Sequence, residues 1–310
     1  MSGNKTLIVL VSYNHWEMTV DCIRSLQHLP KEEFATVIFD NCSDKETTEN
    51  LRKIIEPIQD QFFFIESNEN LGFGRANNRA IEICHQKFPF TNLCLLNNDT
   101  IVSKDCLPKL LDVLRNNPNA IVAPKTLNKD GSLQKNYYAN IFFKQFFFNA
   151  FRSKQKAADY LHGIPANVNA TDTIQKTDWT AAICWYMTME TWNSVGGFDK
   201  NIFMYYEDVD FALRAKDCGF EYLINNEATL THLDGGSAKS TLSRSLQHDN
   251  AQEYMFKKHW GLKGLIVSKA FRIIRSSIRL LTAIPKAIAS TQSREYALLH
   301  FKLLVNAFKV

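Results

Sequence analysis

Thr36-Val-Ile-Phe-Asp40 and Leu93-Cys-Leu-Leu-Asn-Asn-Asp99 are two short apolar runs that each end in an aspartate. Polar turn residues follow both runs, a pattern typical of a buried parallel strand that passes into a loop. In open α/β sheets the ligand crevice lies at the carboxyl ends of the strands. The sequence therefore predicts that both carboxylates point into one site, an arrangement that suits a nucleotide and a metal ion.

Apolar runs alternate with helical patterns along the first 125 residues. We predict strands over 7–11, 37–40, 62–65, 93–96 and 121–123, and helices over 16–28, 46–59, 73–87 and 106–116. This alternation is typical of a parallel sheet with helices on both faces. Farther on, the pattern predicts a strand over 181–189, a helix over 208–218 and a strand over 221–228.

The segment between these two parts is less regular and contains six phenylalanines within residues 142–151. Two interpretations stay open for this cluster. Aromatic residues at helical spacing usually pack in a core, and an exposed cluster would form a lid over an apolar acceptor.

Composition is that of an ordinary globular chain, with 310 residues, 45% hydrophobic and 22% charged. Seven cysteines are present without a Cys-x-x-Cys pair, which predicts reduced, buried thiols in a cytosolic protein. The first apolar run, residues 7–11, is too short for a secretory signal or a membrane span. We therefore expect the chain to stay on the cytosolic side.

Several motifs in a fixed order resemble the family 2 inverting glycosyltransferases, and within them the rhamnosyltransferase-like group. The matching stretches are Val9-Leu-Val-Ser-Tyr-Asn14, Asp40-Asn-Cys-Ser43, Asn68-Glu-Asn-Leu-Gly-Phe-Gly-Arg-Ala-Asn-Asn78, Leu95-Leu-Asn-Asn-Asp-Thr100, Gly196-Gly-Phe-Asp199, Phe203-Met-Tyr-Tyr-Glu-Asp-Val-Asp210 and Thr231-His232. The resemblance covers residues 7–237. It implies the GT-A fold, a Rossmann-like α/β architecture with a mostly parallel central sheet and flanking helices.

A sugar nucleotide requires a cation at its diphosphate, because negative charge grows there as the glycosidic bond breaks. Asp99 is our candidate ligand for Mg²⁺ or Mn²⁺, although Asn97 stands where such families usually have a second acid. The resemblance implies His232 as a second metal ligand. The alternatives are a turn aspartate and a structural histidine.

Removal of a proton from the acceptor hydroxyl requires a general base. Glu207-Asp208 supplies two adjacent acids at a predicted helix start. The resemblance implies that Asp208 is the base, and Glu207 is assigned to the acceptor. It also places Trp179 at the acceptor, where a core position is the alternative. For the acids, the alternative is helix capping.

Donor binding is assigned to the loops that follow the predicted strands. Asp40 can accept the imide N–H of uracil or thymine, and Ser12, Tyr13 and Asn14 would line the nucleobase pocket from the other side. Gly72 permits a loop that approaches the ligand closely, and Arg75 would meet the diphosphate. Asn98 and Asp99 complete this set of candidates. Because a full Gly-x-Gly-x-x-Gly is absent, the loop is not a dinucleotide fingerprint.

The last fifty residues differ in charge from the rest. They contain nine Lys and Arg residues and one acid, whereas the preceding 260 residues contain 27 bases and 31 acids. As a helix, residues 265–281 would carry one basic stripe and one apolar stripe, the latter made of Val267, Ala270, Phe271, Ile274, Ile278 and Leu281. We expect this helix to lie on an anionic membrane surface. A hairpin packed on the catalytic domain and a homodimer contact remain alternatives.

These observations predict a catalytic domain over 1–260, with a nucleotide half of about 1–125 and an acceptor half of about 126–260, and a basic tail over 261–310. The resemblance implies transfer of L-rhamnose from dTDP-rhamnose to a lipid-linked or growing saccharide of the bacterial cell surface. Two alternatives stay open, a UDP-sugar donor such as UDP-galactofuranose and an inactive scaffold. The expected location is the inner face of the cell membrane, and nucleic-acid binding is not expected because the body is net acidic.

Overall fold

The computed structural model describes residues 5–134, 136–138, 172–233, 242–287 and 290–308. The predicted Phe-rich cluster, residues 142–151, lies outside the described residues. The first half of the chain alternates strands and helices in the order β1 (Thr6–Ser12), α1 (Trp16–Leu26), β2 (Phe34–Asp40), α2 (Lys45–Ile55), β3 (Phe62–Glu66), α3 (Phe73–Lys87), β4 (Asn92–Asn97), β5 (Thr100–Val102), α4 (Cys106–Asn116) and β6 (Ala120–Asn128). The predicted alternation is confirmed, and α3 and α4 have the predicted bounds.

Parallel pairing brings the ends of three strands to one edge of the sheet. β1 lies between β2 and β4, and Ser12 is in register with Asp40 on one side while Val11 pairs with Asn97 on the other. The inner strands are apolar and fully buried, as at Val9 and Leu95. Both predicted apolar runs therefore end on the same side of the sheet, as expected.

The second half of the described chain completes the sheet with both antiparallel and parallel pairs. It contains β7 (Tyr137–Tyr138), β8 (Ile174–Thr177), β9 (Trp179–Thr180), β10 (Cys184–Thr188), α5 (Met189–Val195), α6 (Glu207–Asp217) and β11 (Glu221–His232). The strand order among the described residues is β3-β2-β1-β4-β10-β6-β11-β5, with β8 beside β11, and β10 runs antiparallel to both β4 and β6. β11 runs parallel to β6 and antiparallel to β5 and β8, and β7 pairs with β9 in a separate two-stranded sheet. The main sheet is therefore mixed, with parallel pairs in both halves of the chain.

The predicted strand over 181–189 was too long. β10 occupies only Cys184–Thr188, and α5 starts directly after it. The reason is an N-cap, because the Thr188 side chain accepts a hydrogen bond from the backbone N–H of Thr191 at 3.0 Å. Gly196, with φ of 84°, then ends the helix in the left-handed conformation.

None of the seven cysteines forms a disulfide. Five are buried, as predicted, but Cys42 and Cys218 are exposed. Cys42 has a φ of 68° in the loop after β2, a backbone geometry that takes its side chain out of the core.

The chain divides into two compact units. One comprises Met1–Ala139, Ile164–Phe203 and Glu207–Ser237, and it contains the sheet. The other comprises Asn140–Gly163, Met204–Tyr206 and Ala238–Val310, and its described part is mostly two helices, α7 (Leu242–Ala287) and α8 (Thr291–Ala307).

Helix α7 is interrupted at Gly261, where φ is 62° and ψ is −150°. The boundary predicted between catalytic domain and tail, at 260/261, lies next to Gly261, whereas the two compact units divide at Ser237/Ala238. The helix predicted over 265–281 is confirmed as part of α7, which continues through Pro285 to Ala287. None of the described helices is long and apolar enough to cross a membrane.

Candidate active site

The loops after β1 and β2 are held together by hydrogen bonds. The backbone N–H of Asn41 donates to the carbonyl of Ser12 at 2.8 Å, and the N–H of Asn14 donates to Ser43 Oγ at 2.8 Å. Asn14 adopts a φ of 56°, and its side-chain oxygen accepts from the N–H of Asp44 at 3.0 Å. Between them Tyr13 is 49% exposed. The predicted nucleobase residues Ser12, Tyr13 and Asn14 therefore lie beside the loop that starts at Asp40.

Asp40 is nearly fully buried at the end of β2. Its Oδ2 accepts from Thr48 Oγ1 at 2.8 Å, and its Oδ1 accepts from the backbone N–H of Ser43 at 3.3 Å. A carboxylate oxygen has more than one acceptor site, so each oxygen keeps capacity for a further donor. The contacts fix the orientation of this carboxylate.

Asn41 ties the β2 loop to the loop that precedes α3. Its side-chain nitrogen donates to Asn70 Oδ1 at 3.0 Å, and its side-chain oxygen accepts from the N–H of Leu71 at 2.8 Å. Gly72, with φ of 77°, follows, and a Cβ atom there would lie 2.0 Å from the carbonyl oxygen of Phe203. The close approach that Gly72 permits is thus an approach to the backbone at Phe203.

Arg75 lies in the first turn of α3, where its side chain is 41% exposed. Its guanidinium is 3.9 Å from Glu69 Oε1, a separation at which an exposed pair is weak. The Arg75 side chain can therefore reorient toward an anionic ligand at little cost.

Asn98 lies after β4 and is linked to the end of β1 through one threonine of α1. Asn98 Nδ2 donates to Thr19 Oγ1 at 2.8 Å, and Ser12 Oγ lies 3.0 Å from the same Thr19 atom. Thr19 is fully buried and was not among the residues predicted from sequence.

The loop after β4 and the end of β11 bring Asp99 and His232 together. His232 Nε2 lies 3.1 Å from Asp99 Oδ1, and the backbone N–H of Leu233 donates to the Asp99 carbonyl at 2.8 Å. On the other side of the imidazole, Nδ1 lies 3.0 Å from Gln134 Oε1. The predicted pair is therefore in contact, and Gln134 orients the histidine ring, as outer partners of metal-binding histidines do.

The polarity of these contacts fits a divalent cation. When Nδ1 donates to Gln134, Nε2 of a neutral imidazole presents a lone pair to the Asp99 carboxylate. Two electron-pair donors attract each other only through a cation between them, either a proton or a metal ion. The 3.1 Å separation is that of an ordinary hydrogen bond, and both atoms are also of a type that can bind a divalent cation.

Two protein ligands leave most of a coordination shell to other groups. The described residues contain no cluster of three or more His, Cys, Asp or Glu side chains that could hold a metal. Oxygens of a diphosphate and of water supply the remaining positions in many magnesium sites of this kind.

Glu207 and Asp208 form the first turn of α6, and both carboxyl groups are perturbed by burial. Burial, and then the charge of Asp208, raise the pKa of Glu207 to about 8. Glu207 Oε2 has no hydrogen-bond partner among the described residues. Burial raises the pKa of Asp208 to about 6, while the amide groups of Val209 and Ala182 oppose that rise. Burial therefore raises the pKa of both carboxyl groups, and that of Glu207 more, so Glu207 is the group of the pair that keeps its proton more readily.

Backbone contacts place Asp208 near the end of β4. The amide of Ala182 interacts with the Asp208 carboxylate, and the carbonyl of the next residue, Ile183, accepts from the N–H of Asn97 at 2.8 Å. Asp99 follows two residues later. Asp208 and Asp99 are thus linked through residues 182–183 and the end of β4, and they belong to the same unit.

An arginine fixes the start of α6 to the preceding turn. Arg214 donates to the fully buried carboxylate of Asp210 at 3.0 Å and to the carbonyls of Val195 and Gly197, the latter at 2.7 Å. The Gly196-Gly197 turn is therefore clamped to α6. Asp210 is the anion of this clamp.

Trp179, the predicted acceptor residue, is 6% exposed and stacks on Tyr138 with ring centroids 4.2 Å apart. Burial, and then the charge of Asp208, raise the pKa of Tyr138 to about 12. Of the two stacked rings, Tyr138 is therefore the one whose hydroxyl is influenced by the charge of Asp208. Trp179 packs against the Tyr138 ring.

Sequence reasoning missed Thr19, Gln134 and Tyr138. Each acts on a candidate residue that is distant in the chain, as Gln134 does on His232 across 98 positions. Such pairs leave no local pattern in a single sequence. Asn41 lies inside the Asp40-Asn-Cys-Ser43 motif. Its polar side chain next to the end of a buried strand is the sequence feature that could have identified it.

A family model described as "Glycosyl transferase family 2" matches residues 7–168. Among curated relatives, the low-salt glycan biosynthesis hexosyltransferase Agl10 of Haloferax volcanii is 23% identical over 183 residues, 58% of this chain and 52% of that protein. The N-acetylglucosaminyl-diphospho-decaprenol L-rhamnosyltransferase of Mycobacterium tuberculosis is 27% identical over 112 residues, 33% of this chain and 36% of that protein. The matches thus span about half or less of the length of these relatives.

Two solved structures share the fold. One is GalNAc-T7 with UDP, GalNAc and Mn²⁺, with a TM-score of 0.58 and 14% identity over 86% of this chain and 54% of that one. The other is the mannosyltransferase PcManGT of Pyrobaculum calidifontis with GDP-Man and Mn²⁺, with a TM-score of 0.54 and 12% identity over 98% of this chain and 85% of that one. Both likenesses establish the GT-A architecture of the chain.

Proposed function

Since the chain belongs to glycosyl transferase family 2, which its match over residues 7–168 establishes, we propose that it is a metal-dependent inverting glycosyltransferase. The observation that carries this proposal is the contact of Asp99 Oδ1 with His232 Nε2 at 3.1 Å. That contact lies at the sheet edge where the predicted nucleotide residues meet and where Asp208 is close by.

The donor nucleotide binds across the ends of β1, β2 and β4. Asp40 accepts the imide N–H of the base, because its carboxylate is oriented by Thr48 and Ser43. Ser12, Tyr13 and Asn14 line the other side, Asn98 lies next to Asp99, and Gly72 shapes the adjoining loop. Arg75 reaches the diphosphate.

Asp99 and His232 would hold Mg²⁺ or Mn²⁺, and the two structural neighbours contain Mn²⁺ with UDP or with GDP-Man. When bound, the ion would neutralise the diphosphate charge that develops on the leaving group. Gln134 keeps Nδ1 of His232 protonated, so that Nε2 remains the ligating atom.

Asp208 is the general base. It accepts the proton of the acceptor hydroxyl while that oxygen forms a bond to the anomeric carbon, and the bond from this carbon to the diphosphate breaks with its electron pair on oxygen. A single displacement inverts the anomeric configuration. Glu207 binds the acceptor as a neutral acid that donates a hydrogen bond, and Trp179 borders the acceptor through Tyr138.

We propose L-rhamnose from dTDP-rhamnose as the donor sugar and a lipid-linked or growing saccharide as the acceptor, in bacterial surface polysaccharide synthesis. The rhamnosyltransferase of M. tuberculosis supports this choice, and the hexosyltransferase relative supports the wider class. The proposed location is the inner face of the cell membrane, with attachment through residues 265–281. A UDP-sugar donor and an inactive scaffold are the competing functions.

Purified full-length protein should hydrolyse one sugar nucleotide slowly in the presence of Mn²⁺, and EDTA should abolish this hydrolysis. Parallel incubations with dTDP-rhamnose, UDP-galactofuranose and GDP-mannose, analysed by mass spectrometry, identify the donor. Hydrolysis of a UDP-sugar without hydrolysis of dTDP-rhamnose contradicts the rhamnose assignment. No hydrolysis of any donor, together with absent nucleotide binding, favours the scaffold.

Asp208→Asn tests the base. We expect turnover of acceptor to fall about a hundredfold or more, the usual effect of removing a positioned base, with donor affinity nearly unchanged. Isothermal titration with the nucleotide and a turnover assay measure the two quantities. An equal loss of donor affinity contradicts the role assigned to Asp208.

A further inference from the structure

The part of α7 that follows Gly261 has its basic face turned inward. Ser268 and Ser276 are fully buried and Arg272 is 4% exposed. Large apolar side chains on the opposite face are exposed, namely Leu262 at 68%, Ile266 at 59%, Ile274 at 37%, Leu281 at 68% and Ile284 at 51%. The two predicted stripes exist, and none of the six predicted apolar-stripe residues is buried.

Ion pairs explain why the basic face lies inside. Arg272 Nε is 3.2 Å from Asp249 Oδ2, Arg272 Nη1 donates to Glu253 Oε1 at 2.8 Å, and Arg275 contacts the other oxygen of Asp249. Asp249 is 1% exposed. Both acids belong to the part of α7 that precedes Gly261, so the two parts of the helix are joined by buried, charge-assisted contacts.

Helix α8 likewise has a polar residue on its inward side and large apolar residues on its outward side. It packs on α7 and buries His300, Leu303 and Ala307. Its outward side carries large apolar side chains at helical spacing, Leu298 at 52% exposed, Phe301 at 52%, Val305 at 43% and Phe308 at 67%. A histidine therefore lies inside while two phenylalanines lie outside.

Exposure of so many large apolar side chains to water is energetically unfavourable. Soluble proteins rarely expose large contiguous apolar surfaces, and such surfaces mark sites of contact with proteins or membranes. The outward stripe of α7 extends over residues 262–284, about 33 Å along a helix, and α8 adds a second stripe. We name these nine side chains the apolar face of the helical unit.

We infer that the apolar face lies in the boundary between headgroups and acyl chains of a lipid bilayer. The inference rests on the membrane attachment proposed above, and it adds which side chains enter the bilayer: those of the apolar face, whose burial contributes most of the attachment. Residues 262–284 would lie parallel to the surface, because none of the described helices can span a bilayer.

Charge complementarity favours lipid over a second copy of the chain. Three lysines of this region are exposed, Lys263, Lys286 and Lys302, against one exposed acid, Glu295. A symmetric dimer through this face would bring together more lysines than carboxylates. Lipid phosphates supply the missing negative charge, and long lysine side chains reach them from an apolar surface.

Vesicle sedimentation tests this assignment with the full-length protein. Wild-type protein should sediment with phosphatidylcholine vesicles, more strongly when phosphatidylglycerol is added, and should stay bound in about 0.5 M NaCl, where charge attraction is screened. The triple variant Leu262→Asn, Ile266→Asn, Leu281→Asn should lose binding at least about tenfold, because the transfer of three apolar side chains is removed. Ile101→Asn, at an apolar side chain in β5 that is 40% exposed, is the matched control and should bind as wild type.

Three outcomes overturn the inference. They are binding that requires anionic lipid and is lost at high salt, binding that the triple variant retains, and a wild-type dimer that the triple variant converts to monomer without any vesicle binding. Light scattering measures the last. Mn²⁺-dependent donor hydrolysis, assayed on the same samples, separates failure of this inference from failure of the proposed function. Circular dichroism confirms that the variants are folded.

Discussion

The adjacent carboxyl groups of Glu207 and Asp208 lose their protons in different pH ranges. With pKa values of about 8 and about 6, activity should rise as pH passes 6, because Asp208 must be ionised to accept a proton. It should fall again above pH 8, where a second buried negative charge forms at Glu207. A bell-shaped profile of kcat/KM is the expected result.

Glu207→Gln isolates the upper half of that profile. Glutamine keeps the shape and a donor N–H, so activity at pH 7 should change little, whereas the decline above pH 8 should disappear. An unchanged alkaline decline would assign it to another group. A large loss at pH 7 would show that the carboxyl proton itself is needed.

Gln134 is a positioning residue for His232, and its contribution is separable from folding. Gln134→Ala removes the acceptor of the Nδ1 hydrogen bond, so we expect metal affinity to fall about 10- to 100-fold, the usual effect of losing such a partner. Mn²⁺ titration of donor hydrolysis measures this change. Gln134→Glu, which still accepts from Nδ1, should retain metal affinity. If both variants behave alike, Gln134 does not act through the imidazole.

At the scale of elements, Gly72 joins the loop before α3 to the backbone at Phe203. Gly72→Ala would place a Cβ 2.0 Å from the Phe203 carbonyl oxygen, at a φ of 77°. We expect the free energy of unfolding to fall by about 2 kcal/mol or more, since both steric overlap and an unfavourable φ contribute. Urea denaturation measures it.

Gly131→Ala is the matched control for this change. Gly131 has a similar φ of 81°, but a Cβ there meets nothing within 4 Å. The free energy of unfolding of this variant should fall by about 1 kcal/mol, the effect of the unfavourable φ alone. Equal losses at Gly72 and Gly131 would mean that the contact with Phe203 relaxes freely.

At the scale of the whole molecule, local patterns in the sequence predicted the elements but not their partners. Helix α3 matched its predicted bounds because its periodicity is strong. The sequence left open which side of α7 packs inward, because a helical pattern defines two faces without telling which one is buried. The buried side depends on Asp249, which lies before Gly261 and outside the segment predicted as tail. The contact between Asp99 and His232 required the family resemblance, because two distant strand ends carry no common local signal.

The two units should respond to pH in opposite directions. In the sheet-containing unit, burial raises the pKa of Glu207 from 4.5 to about 8, so the folded state binds more protons and its stability falls as pH rises from 4.5 to 8. In the helical unit, burial lowers the pKa of His300 from 6.5 to about 4, so the unfolded state binds more protons and stability falls as pH drops from 6.5 to 4.

Amide hydrogen exchange at pH 5 and pH 8, corrected for intrinsic exchange rates, resolves these responses. Peptides from Glu207–Asp217 should be better protected at pH 5, and peptides from Thr291–Ala307 at pH 8. Glu207→Gln should remove only the first difference. His300→Gln should remove only the second, since glutamine stays neutral throughout this range. A change of the same sign in both peptides would mean that burial of these two groups does not control the pH dependence of stability, because the two linkage terms have opposite signs.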